Sequence, residues 1–454
     1  MNYKVYSLHN YRKLSALKKL SKEQLFDIEV VGNVLPFKTN NYVVNELIDW
    51  DNYETDPMFI LNFPQKEMLK SHHYEQMATV LNTSSNKKHI RETADKIRIE
   101  LNPHPAGQLE LNVPELDGQK LPGIQHKYRE TVLFFPSQGQ TCHAYCTFCF
   151  RWPQFSGMDN FKFAMKEADL LVEYLKNHPS VTDILFTGGD PMIMSAKFLD
   201  AYISTLLKAD LPQLKNIRIG TKSLAFWPYR YLTDKDADDV LRVFEKVVKS
   251  GRHLAIMAHF SHPVELSTAA VKKAIKRIRA TGAQIRTQSP VLNHINADAD
   301  VWSKMWKKQV ALGLVPYYMF VARETGAQEY FSVPLVKTAS IYREAFSSVS
   351  GICRTVRGPS MSANPGKVRI VGVSEVKGEK IIVLNFIQAR RPEWVGRPFF
   401  AKYDEDALWL NDLNPAFGEE EFFYTKEFDK ILAVNKNKYS LNNRENEASL
   451  SMCS

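Results

Sequence analysis

Three cysteines within eight residues are the strongest chemical feature of the sequence. They form the run Cys142-His-Ala-Tyr-Cys146-Thr-Phe-Cys149, soon after a predicted strand. Thiolates bind zinc or iron–sulfur clusters. Zinc would need a fourth ligand, and the other cysteines, Cys353 and Cys453, are isolated and distant. A [4Fe–4S] cluster on three cysteines keeps one iron open for a small molecule, so the spacing favours that cluster over zinc or three unrelated buried thiols.

The elements that must position this motif alternate between short apolar runs and amphipathic stretches. The predicted strands are 131–136, 182–187, 217–221, 254–259, 284–289 and 315–321. The predicted helices are 162–177, 195–208, 234–250, 267–281, 297–312 and 333–347. Six strand–helix units at this spacing imply a parallel sheet with right-handed crossovers. The predicted fold is α/β, a partial (β/α)6 TIM-like barrel, with a doubly wound open sheet as the alternative.

Four regions are expected along the chain. Residues 1–125 read as a helical N-terminal region with helical stretches at 65–81 and 88–101, and residues 126–348 form the six-unit core. Residues 349–434 form an extension with strand-like runs at 368–372 and 380–385. The polar end, 435–454, is rich in Asn, Ser and Glu and is predicted to be a disordered tail.

Composition narrows the class of protein. The 454 residues are 44% hydrophobic, with no run long enough to span a membrane and no apolar secretory segment. Five cysteines do not make a disulfide framework, so we expect a reducing cytoplasm. The net charge of +9 raises the question of nucleic acid, but the basic residues are spread along helices and no aromatic RNA-binding motif is present. A positive charge also suits ligands that carry phosphates and carboxylates.

Two motifs together carry a resemblance to a superfamily. C-x3-C-x2-C with Phe148 before the last cysteine resembles the radical S-adenosylmethionine (SAM) superfamily. Thr187-Gly188-Gly189-Asp190-Pro191, at the end of the second predicted strand, is similar to its Gly-Gly-Glu/Asp motif. The resemblance implies that SAM binds the open iron and that Gly188, Gly189 and Asp190 contact its amino group. Reductive cleavage of SAM would then generate a 5′-deoxyadenosyl radical.

Further stretches resemble one family, the lysine 2,3-aminomutases. They occur in the family's order over about residues 120–390, and they are HKYRE at 126–130, CFR at 149–151, RIGTK at 218–222, HFSHP at 259–263, TQSPVL at 287–292, PYY at 316–318 and PGK at 365–367. The resemblance implies pyridoxal 5′-phosphate (PLP) as a second cofactor. It also implies an isomerase that moves the amino group of an amino acid to make a β-amino acid, because the PLP π-system can delocalise an unpaired electron.

The resemblance also implies roles for residues around PLP. Lys367 follows Asn364-Pro365-Gly366 and matches the lysine that binds PLP covalently. Lys127 and Tyr128 match positions near the PLP phosphate. Thr131 stands where the family usually has an arginine, and Arg129 is expected to compensate, since a guanidinium suits phosphate.

The resemblance also implies roles for residues around SAM and the substrate. Lys222, His259 and Gln288 match positions around SAM. Arg151, two residues after the last cysteine of the motif, matches the arginine that binds the substrate α-carboxylate.

The sequence departs from lysine-specific relatives at the positions that read the side-chain ammonium. Those enzymes use two aspartates, whereas this chain has Arg323 at the first position and no acid within 360–362 at the second. An arginine would repel a lysine ammonium and attract an anion. We therefore expect glutamate or an uncharged amino acid rather than free lysine, unless Arg323 pairs with Glu324. The C-terminal cysteines that bind intersubunit zinc in some relatives are absent from the sequence.

Alternative functions remain open at this point. One is a radical SAM enzyme that acts on protein-bound lysine, and another is a PLP-independent enzyme that modifies RNA. A third is a binding protein with an idle cluster. For the favoured aminomutase we expect a small amino acid substrate, an electron donor such as flavodoxin or ferredoxin, a homo-oligomer, and neither a membrane nor a nucleic acid partner.

Overall fold

The computed structural model describes residues 1–105, 111–158 and 162–434. The tail predicted to be disordered, 435–454, lies outside the described residues. No helix in the described part of the chain combines the length and the apolar composition that crossing a membrane requires.

The helices of the described chain fall into an N-terminal group and a group that alternates with strands. The first group is α1 (Lys22–Val34), α2 (Pro57–Asn62), α3 (Ser71–Thr83) and α4 (Lys87–Glu100). The second is α5 (Ala168–Lys176), α6 (Ala196–Lys208), α7 (Ser223–Phe226), α8 (Ala237–Lys249), α9 (Ala269–Ala280), α10 (Ala299–Ala311), α11 (Gln328–Phe331) and α12 (Leu335–Ser347).

One large sheet of eleven strands organises the described part of the molecule, and two small hairpins accompany it. The hairpins are β1 (Val5–Ser7) with β2 (Lys38–Asn40), and β3 (Glu115–Leu116) with β4 (Gln119–Lys120). The large sheet contains β5 (Ile124–Tyr128), β6 (Thr131–Phe134), β7 (Asp183–Phe186), β8 (Asn216–Thr221), β9 (His253–His259), β10 (Gln284–Val291), β11 (Val315–Val321), β12 (Arg357–Ser362), β13 (Gly366–Val376), β14 (Glu379–Ala389) and β15 (Pro398–Lys402).

The strands of the large sheet follow chain order. Strands β6 to β12 pair in parallel, whereas β5 and β13 to β15 pair with their neighbours antiparallel. The six predicted strands correspond to β6 to β11, and the six predicted helices to α5, α6, α8, α9, α10 and α12. The sequence therefore predicted the alternating mixed α/β core.

Local sequence explains why these units form. In α8, the buried residues Val240, Val243, Phe244 and Val247 recur at helical spacing and cover the sheet. Gly251 follows the helix with φ +81°, a left-handed conformation that glycine adopts without the strain a Cβ would cause. Because strands β6 to β12 are parallel, their carboxyl ends meet at one edge of the sheet. Barrel enzymes carry their active sites at this edge.

The N-terminal region packs into the same hydrophobic core as the parallel strands. The predicted helices at 65–81 and 88–101 correspond to α3 and α4, and the two small hairpins add strands to a region expected to be helical. The extension after α12 has its own cluster, which includes Val368, Leu384, Phe386 and Phe399. This cluster supports β13, the strand that carries Lys367.

The sheet curls until its first strands approach its later ones. The Lys127 ammonium on β5 donates to the carbonyl of Ala363, between β12 and β13. Side chains from every parallel strand, β6 to β12, face one shared cavity. The curled sheet therefore encloses a space, although its two edge strands, β5 and β15, do not pair with each other to close a barrel.

Candidate active site

A cavity of about 680 Å3 lies inside the curled sheet. It brings together residues from the cysteine motif, the strand ends and the extension. The predicted site residues that line it are Cys142, Cys146, Cys149, Lys127, Tyr128, Arg151, Gly188, Gly189, Asp190, Lys222, His259, Gln288, Arg323 and Lys367.

Arg129 is the one predicted site residue that the fold does not bring to this cavity. It is exposed, in the two-residue turn between β5 and β6. The pairing of these strands shifts register between His126 and Tyr128, which interrupts the usual alternation of side chains. Adjacent Lys127 and Tyr128 can thus both face the cavity, while Arg129 falls in the turn. The structure thus places Arg129 outside the cavity lining, and its expected compensation for Thr131 stays a prediction.

The cysteine loop, residues 141–151, carries three free thiols at one end of the cavity. Burial is the main cause that raises the pKa of all three, because a thiolate there has little solvent. Three sulfurs on one zinc at about 2.3 Å would lie within roughly 4 Å of one another. Potential metal-ligand atoms of His, Cys, Asp and Glu side chains form one group of three within 4.8 Å of one another in the described chain. That group is His72, His73 and Glu100. Three thiols without a fourth cysteine in the cavity lining fit a [4Fe–4S] cluster with one open iron better than a structural zinc site.

The Gly-Gly-Asp motif supports the cysteine loop from below. A Cβ on Gly189 would lie 2.5 Å from the backbone nitrogen of Thr141, so only glycine permits this approach. The Asp190 amide donates to the carbonyl of Thr141 at 2.8 Å. The Asp190 carboxylate accepts hydrogen bonds from Thr221 and from the Lys222 amide, and burial raises its pKa to about 6.

The N-terminal region covers the same loop from the other side. The Asn40 side chain donates to the carbonyls of His143 and Phe226 at 3.1 and 2.9 Å. The Tyr3 hydroxyl donates to the His143 carbonyl at 2.7 Å. Lys38 donates to the Thr141 hydroxyl at 3.1 Å, where its ammonium interacts electrostatically with Cys142. The N-terminal region is thus part of the wall that fixes the thiols.

Arg151 is a buried cation with spare hydrogen-bonding capacity. Its guanidinium lies 4.4 Å from the Phe135 ring centroid and 5.0 Å from that of Phe150. Arg151 is 9% exposed, and its Nη1 atom has no hydrogen-bond partner within the described chain. Burial, with a smaller contribution from the charge of neighbouring Arg323, lowers its pKa to about 10. An unpaired buried donor of this kind is suited to a carboxylate ligand.

Lys367 lies against aromatic rings at the start of β13. Its ammonium is 4.0 Å from the Tyr318 ring centroid and 5.5 Å from that of Phe320. Burial lowers its pKa to about 7, and the charges of Arg218 and Arg357 contribute to the lowering. A lysine that is partly neutral at pH 7 can attack an aldehyde, so the residue fits covalent attachment of PLP.

Near Lys127 the structure provides a second cation that the sequence did not indicate. Arg390, just after β14, donates to the Asn364 carbonyl at 2.9 Å and to Asn112 Oδ1 at 2.6 Å. Its charge is felt by both Lys127 and Tyr128 and lowers the pKa of Lys127, after the larger effect of burial. Lys127, Tyr128 and Arg390 therefore form a cationic corner that suits a phosphate.

The three residues expected near SAM differ in the contacts that they already make within the protein. Lys222 forms a buried ion pair with Glu265 at 2.7 Å. His259 stacks near Phe148, and burial lowers its pKa to about 3, so its ring is neutral at pH 7. Gln288 lies beside His259 in the register of β10 and β9. All three face the half of the cavity that contains the thiols.

Arg323 lines the cavity between these two halves. Its Nη2 donates to the Pro105 carbonyl at 3.2 Å, and its Nε lies 3.7 Å from Glu324 Oε2. Its charge also acts on Arg151 and Lys127. The pairing with Glu324, left open by the sequence, is therefore present, although the residue still faces the cavity.

The cavity as a whole is strongly cationic. Of the described residues that line it, eight are lysines or arginines and only two, Asp183 and Asp190, are carboxylates. The cations are Lys127, Arg151, Arg218, Lys222, Arg286, Arg323, Arg357 and Lys367. Such a surface attracts anionic ligands and disfavours a cationic side chain.

Comparison with known proteins identifies the family. A protein of Aquifex aeolicus (strain VF5), provisionally named L-lysine 2,3-aminomutase, is 30% identical over 406 residues, which is 89% of this chain and 95% of that protein. The chain belongs to the L-lysine 2,3-aminomutase family. The L-lysine 2,3-aminomutase of Clostridium subterminale is 25% identical over 65% of this chain and 68% of its own length. Enzymes of this family are radical SAM isomerases that use a [4Fe–4S] cluster, SAM and PLP.

Other comparisons add less. No family model matches the chain. The crystal structure of Streptococcus suis SuiB aligns with a TM-score of 0.29 at 13% identity, over 54% of this chain and 47% of that one. At that score the two structures are too different for a comparison of residues.

Proposed function

We propose that this aminomutase-family chain converts an amino acid without a cationic side chain into a β-amino acid. The observation that carries the proposal is the meeting of the cysteine loop, Arg151 and Lys367 in one cavity. Thiols for a cluster, a free guanidinium for a carboxylate and a lysine of lowered pKa are the groups such a reaction needs. When bound, the cluster and SAM supply a hydrogen-abstracting radical, and PLP supplies a π-system that stabilises an unpaired electron.

Residues at one end of the cavity would hold the cluster and SAM. Cys142, Cys146 and Cys149 bind the cluster, and Gly188 and Gly189 present backbone to SAM. Asp190, His259, Gln288 and Lys222 surround the same space. His259 stays neutral at pH 7, so it can accept or donate a hydrogen bond without bringing charge.

At the other end Lys367 attaches PLP through its neutral amine. Lys127 and Tyr128, which line the cavity, would hold the phosphate, and the charge of Arg390, which acts on both residues, would add to the attraction. Arg151 would hold the substrate α-carboxylate, and its position two residues after Cys149 would keep the substrate close to the cluster.

The charge of the cavity bears on the substrate. Arg323 replaces the carboxylate that lysine-specific relatives use, so a side-chain ammonium would meet cations. Glutamate or an uncharged amino acid therefore fits better than free lysine. The second candidate substrate is a lysine carried by another protein. It ranks below a free amino acid because it would require a wide opening to the cavity.

The remaining features of the proposal concern the whole protein. The curled sheet is the partial (β/α)6 barrel, with a helical N-terminal region at 1–125, the core at 126–348 and the PLP-binding extension at 349–434. A flavodoxin or ferredoxin provides the electron, and the protein acts in the cytoplasm as a homo-oligomer.

The test combines both cofactors in one anaerobic preparation. The reconstituted protein is expected to contain about four irons per chain and to cleave SAM. Cys146→Ala should abolish cleavage, whereas Cys353→Ala, at a buried cysteine outside the cavity lining, should retain it. Cleavage by Cys146→Ala would exclude the cluster assignment.

PLP attachment is read separately in the same protein. Borohydride reduction and peptide mapping should place a pyridoxyl label on Lys367, and Lys367→Arg should remove it. Lys377→Gln, at an exposed lysine in the turn at the far end of β13, is the control and should keep the label. A label on another lysine, or no uptake of PLP, would favour the PLP-independent alternative.

A further inference from the structure

The outer side of the cysteine loop, away from the cavity, is covered by two parts of the N-terminal region. Cys146 and Cys149 share a small crevice with Leu35, Pro64 and Trp152, and these three residues are buried. The part of the loop next to Cys142 lies instead under the hairpin of β1 and β2, where the Tyr145 amide donates to the Lys38 carbonyl at 2.7 Å. The hairpin is therefore the thin part of the cover.

Tyr3, which leads into β1, connects the solvent to the cysteine loop. The residue is 39% exposed, yet its hydroxyl donates to the carbonyl of His143 at 2.7 Å. Burial raises the pKa of this hydroxyl, and smaller contributions come from Tyr145 and then from Cys142. His143 directly follows Cys142 in the chain. One side chain therefore separates the molecular surface from the part of the loop that carries the first thiol.

The surface around Tyr3 belongs to a cationic segment. Residues 1–22 contain six lysines and arginines, all exposed, and no aspartate or glutamate. Two of the six, Arg12 and Lys19, form ion pairs with Glu29 and Asp51. The other four form no ion pair with any described residue, and they are Lys4, Lys13, Lys18 and Lys22. The segment therefore presents positive charge that the described part of the chain does not neutralise.

Apolar groups accompany this charge at the hairpin. Val5 is 37% exposed, and with Tyr3 it flanks exposed Lys4. The backbone of Lys4 is fixed by Asn41, whose Oδ1 accepts from the Lys4 amide at 2.9 Å and whose amide donates to the Lys4 carbonyl at 3.0 Å. We call Tyr3, Lys4 and Val5 the hairpin patch. Exposed aromatic and aliphatic side chains beside unpaired charge are typical of a protein interface.

We propose that the hairpin patch docks a one-electron carrier protein with an acidic surface, of the flavodoxin or ferredoxin kind. The inference rests on the proposed function, in which the cysteine loop holds the cluster and SAM and substrate occupy its cavity side. A carrier must then approach from the outer side, where the hairpin is the thin cover. One electron leaves the reduced carrier and enters the oxidised cluster, and no bond or proton is transferred in this step.

The charge and the size of the patch fit such a partner. Opposite charges speed the encounter and orient the two proteins, and they do so less at high salt. Electron-transfer complexes bury small interfaces, below about 1,200 Å2, and dissociate readily. A short apolar patch within a cationic segment is therefore enough for a weak complex that is sensitive to salt.

Binding is tested without turnover. An oxidised flavodoxin with an acidic surface is titrated by calorimetry into the cluster-loaded full chain at low and at moderate salt. The dissociation constant should rise with salt, and Lys4→Glu should raise it about tenfold at low salt. Lys4→Arg should bind as the parent does. Equal melting temperatures of the parent and Lys4→Glu would confirm that the variant is folded.

Lys208→Glu is the matched control for the change of charge. Lys208 is exposed and ends α6, which leads to the amino-terminal end of β8. The cysteine loop follows the carboxyl end of β6, so Lys208 lies at the opposite edge of the parallel strands. This variant should bind the carrier within about twofold of the parent. An equal loss of affinity in Lys208→Glu and Lys4→Glu would show that net charge alone attracts the carrier and would overturn the inference.

Reduction provides a second readout. SAM cleavage is measured with the flavodoxin and, separately, with dithionite, which is small and needs no docking surface. The ratio of the flavodoxin-driven rate to the dithionite-driven rate should fall about tenfold in Lys4→Glu. Equal losses with both reductants would mean that Lys4 supports the loop and docks no carrier. Failure of the parent protein to cleave SAM with dithionite would instead refute the proposed function, while the calorimetric titrations would still decide the docking site.

Two other results would overturn the inference. Equal affinity of the parent and Lys4→Glu for the carrier would place its docking site elsewhere. Binding of a single-stranded RNA but not of the carrier, weakened by Lys4→Glu, would assign the hairpin patch to nucleic acid.

Discussion

Lys367 shows how surroundings set the reactivity of a single residue. An unperturbed lysine has a pKa near 10.4, whereas burial among Tyr318, Phe320 and two arginines lowers that of Lys367 to about 7. Because the folded pKa is depressed, the reactive neutral amine forms as the pH rises through 7. The rate of PLP capture at Lys367 should rise between about pH 6 and 8 and then level off, as measured by stopped-flow absorbance. A rate that keeps increasing toward pH 10 would contradict the lowered pKa.

A second prediction at this scale concerns Arg323. A like charge next to a substrate ammonium should cost no less than the about 3 kcal/mol of an unpaired buried charge, which is a factor of more than 100. The protein should therefore prefer glutamate or an uncharged amino acid over lysine, and Arg323→Asp should reduce or reverse that preference. Competition assays read by mass spectrometry would measure it. Free lysine as the best substrate of the unmodified protein would mean that Glu324 neutralises Arg323.

At the scale of elements, the support of the cysteine loop is open to direct test. Gly189→Ala places a Cβ against the Thr141 backbone and forces a shift that should cost about 1–3 kcal/mol. Gly351→Ala is the matched control, because no atom lies within 4 Å of its added Cβ and its φ is not positive. Only Gly189→Ala should have a lower melting temperature and less bound iron than the parent protein. Equal iron in both would show that the loop adapts.

The N-terminal hairpin provides a charge as well as a wall. Lys38→Gln keeps a donor for Thr141 but removes the cation near Cys142. Loss of a positive charge disfavours the reduced cluster, so its potential should fall by on the order of 50 mV. Electron paramagnetic resonance during a redox titration would measure the shift, with exposed Lys13→Gln as the control. An unchanged potential would place Lys38 too far from the cluster to act.

The elements also show where sequence patterns suffice and where they fail. Strands β6 to β11 and their helices follow from hydrophobic periodicity. Strand β12 did not, because Gly358 and Pro359 in its middle are typical of a turn. Arg129 was misplaced because an irregular pairing in β5 changed which neighbours face inward. Arg390 lies far from Lys127 and Tyr128 in sequence, and only the curl of the sheet brings its charge close to both.

For the whole molecule, the distribution of charge separates the competing functions. The net charge is +9, and the cavity alone has six more cations than carboxylates among its described lining residues. Much of the excess thus points toward enclosed small ligands rather than a nucleic acid on the surface. The purified protein should contain PLP, measured by chromatography after its release from the protein because an iron–sulfur cluster also absorbs near 400 nm, and should show an absorbance ratio at 260 and 280 nm typical of protein free of nucleic acid. Copurified RNA without PLP would favour the RNA-modifying alternative.

The contact of Asn40 with both His143 and Phe226 has a consequence for biosynthesis. Translation proceeds from the N-terminus, so this contact cannot form until residue 226 has left the ribosome. Between the synthesis of Cys149 and that moment, the N-terminal cover over the three thiols is incomplete, because the Asn40 side chain can reach only His143. That interval is when an iron–sulfur delivery protein has the freest access to them, and slow translation across residues 150–226 should favour loading.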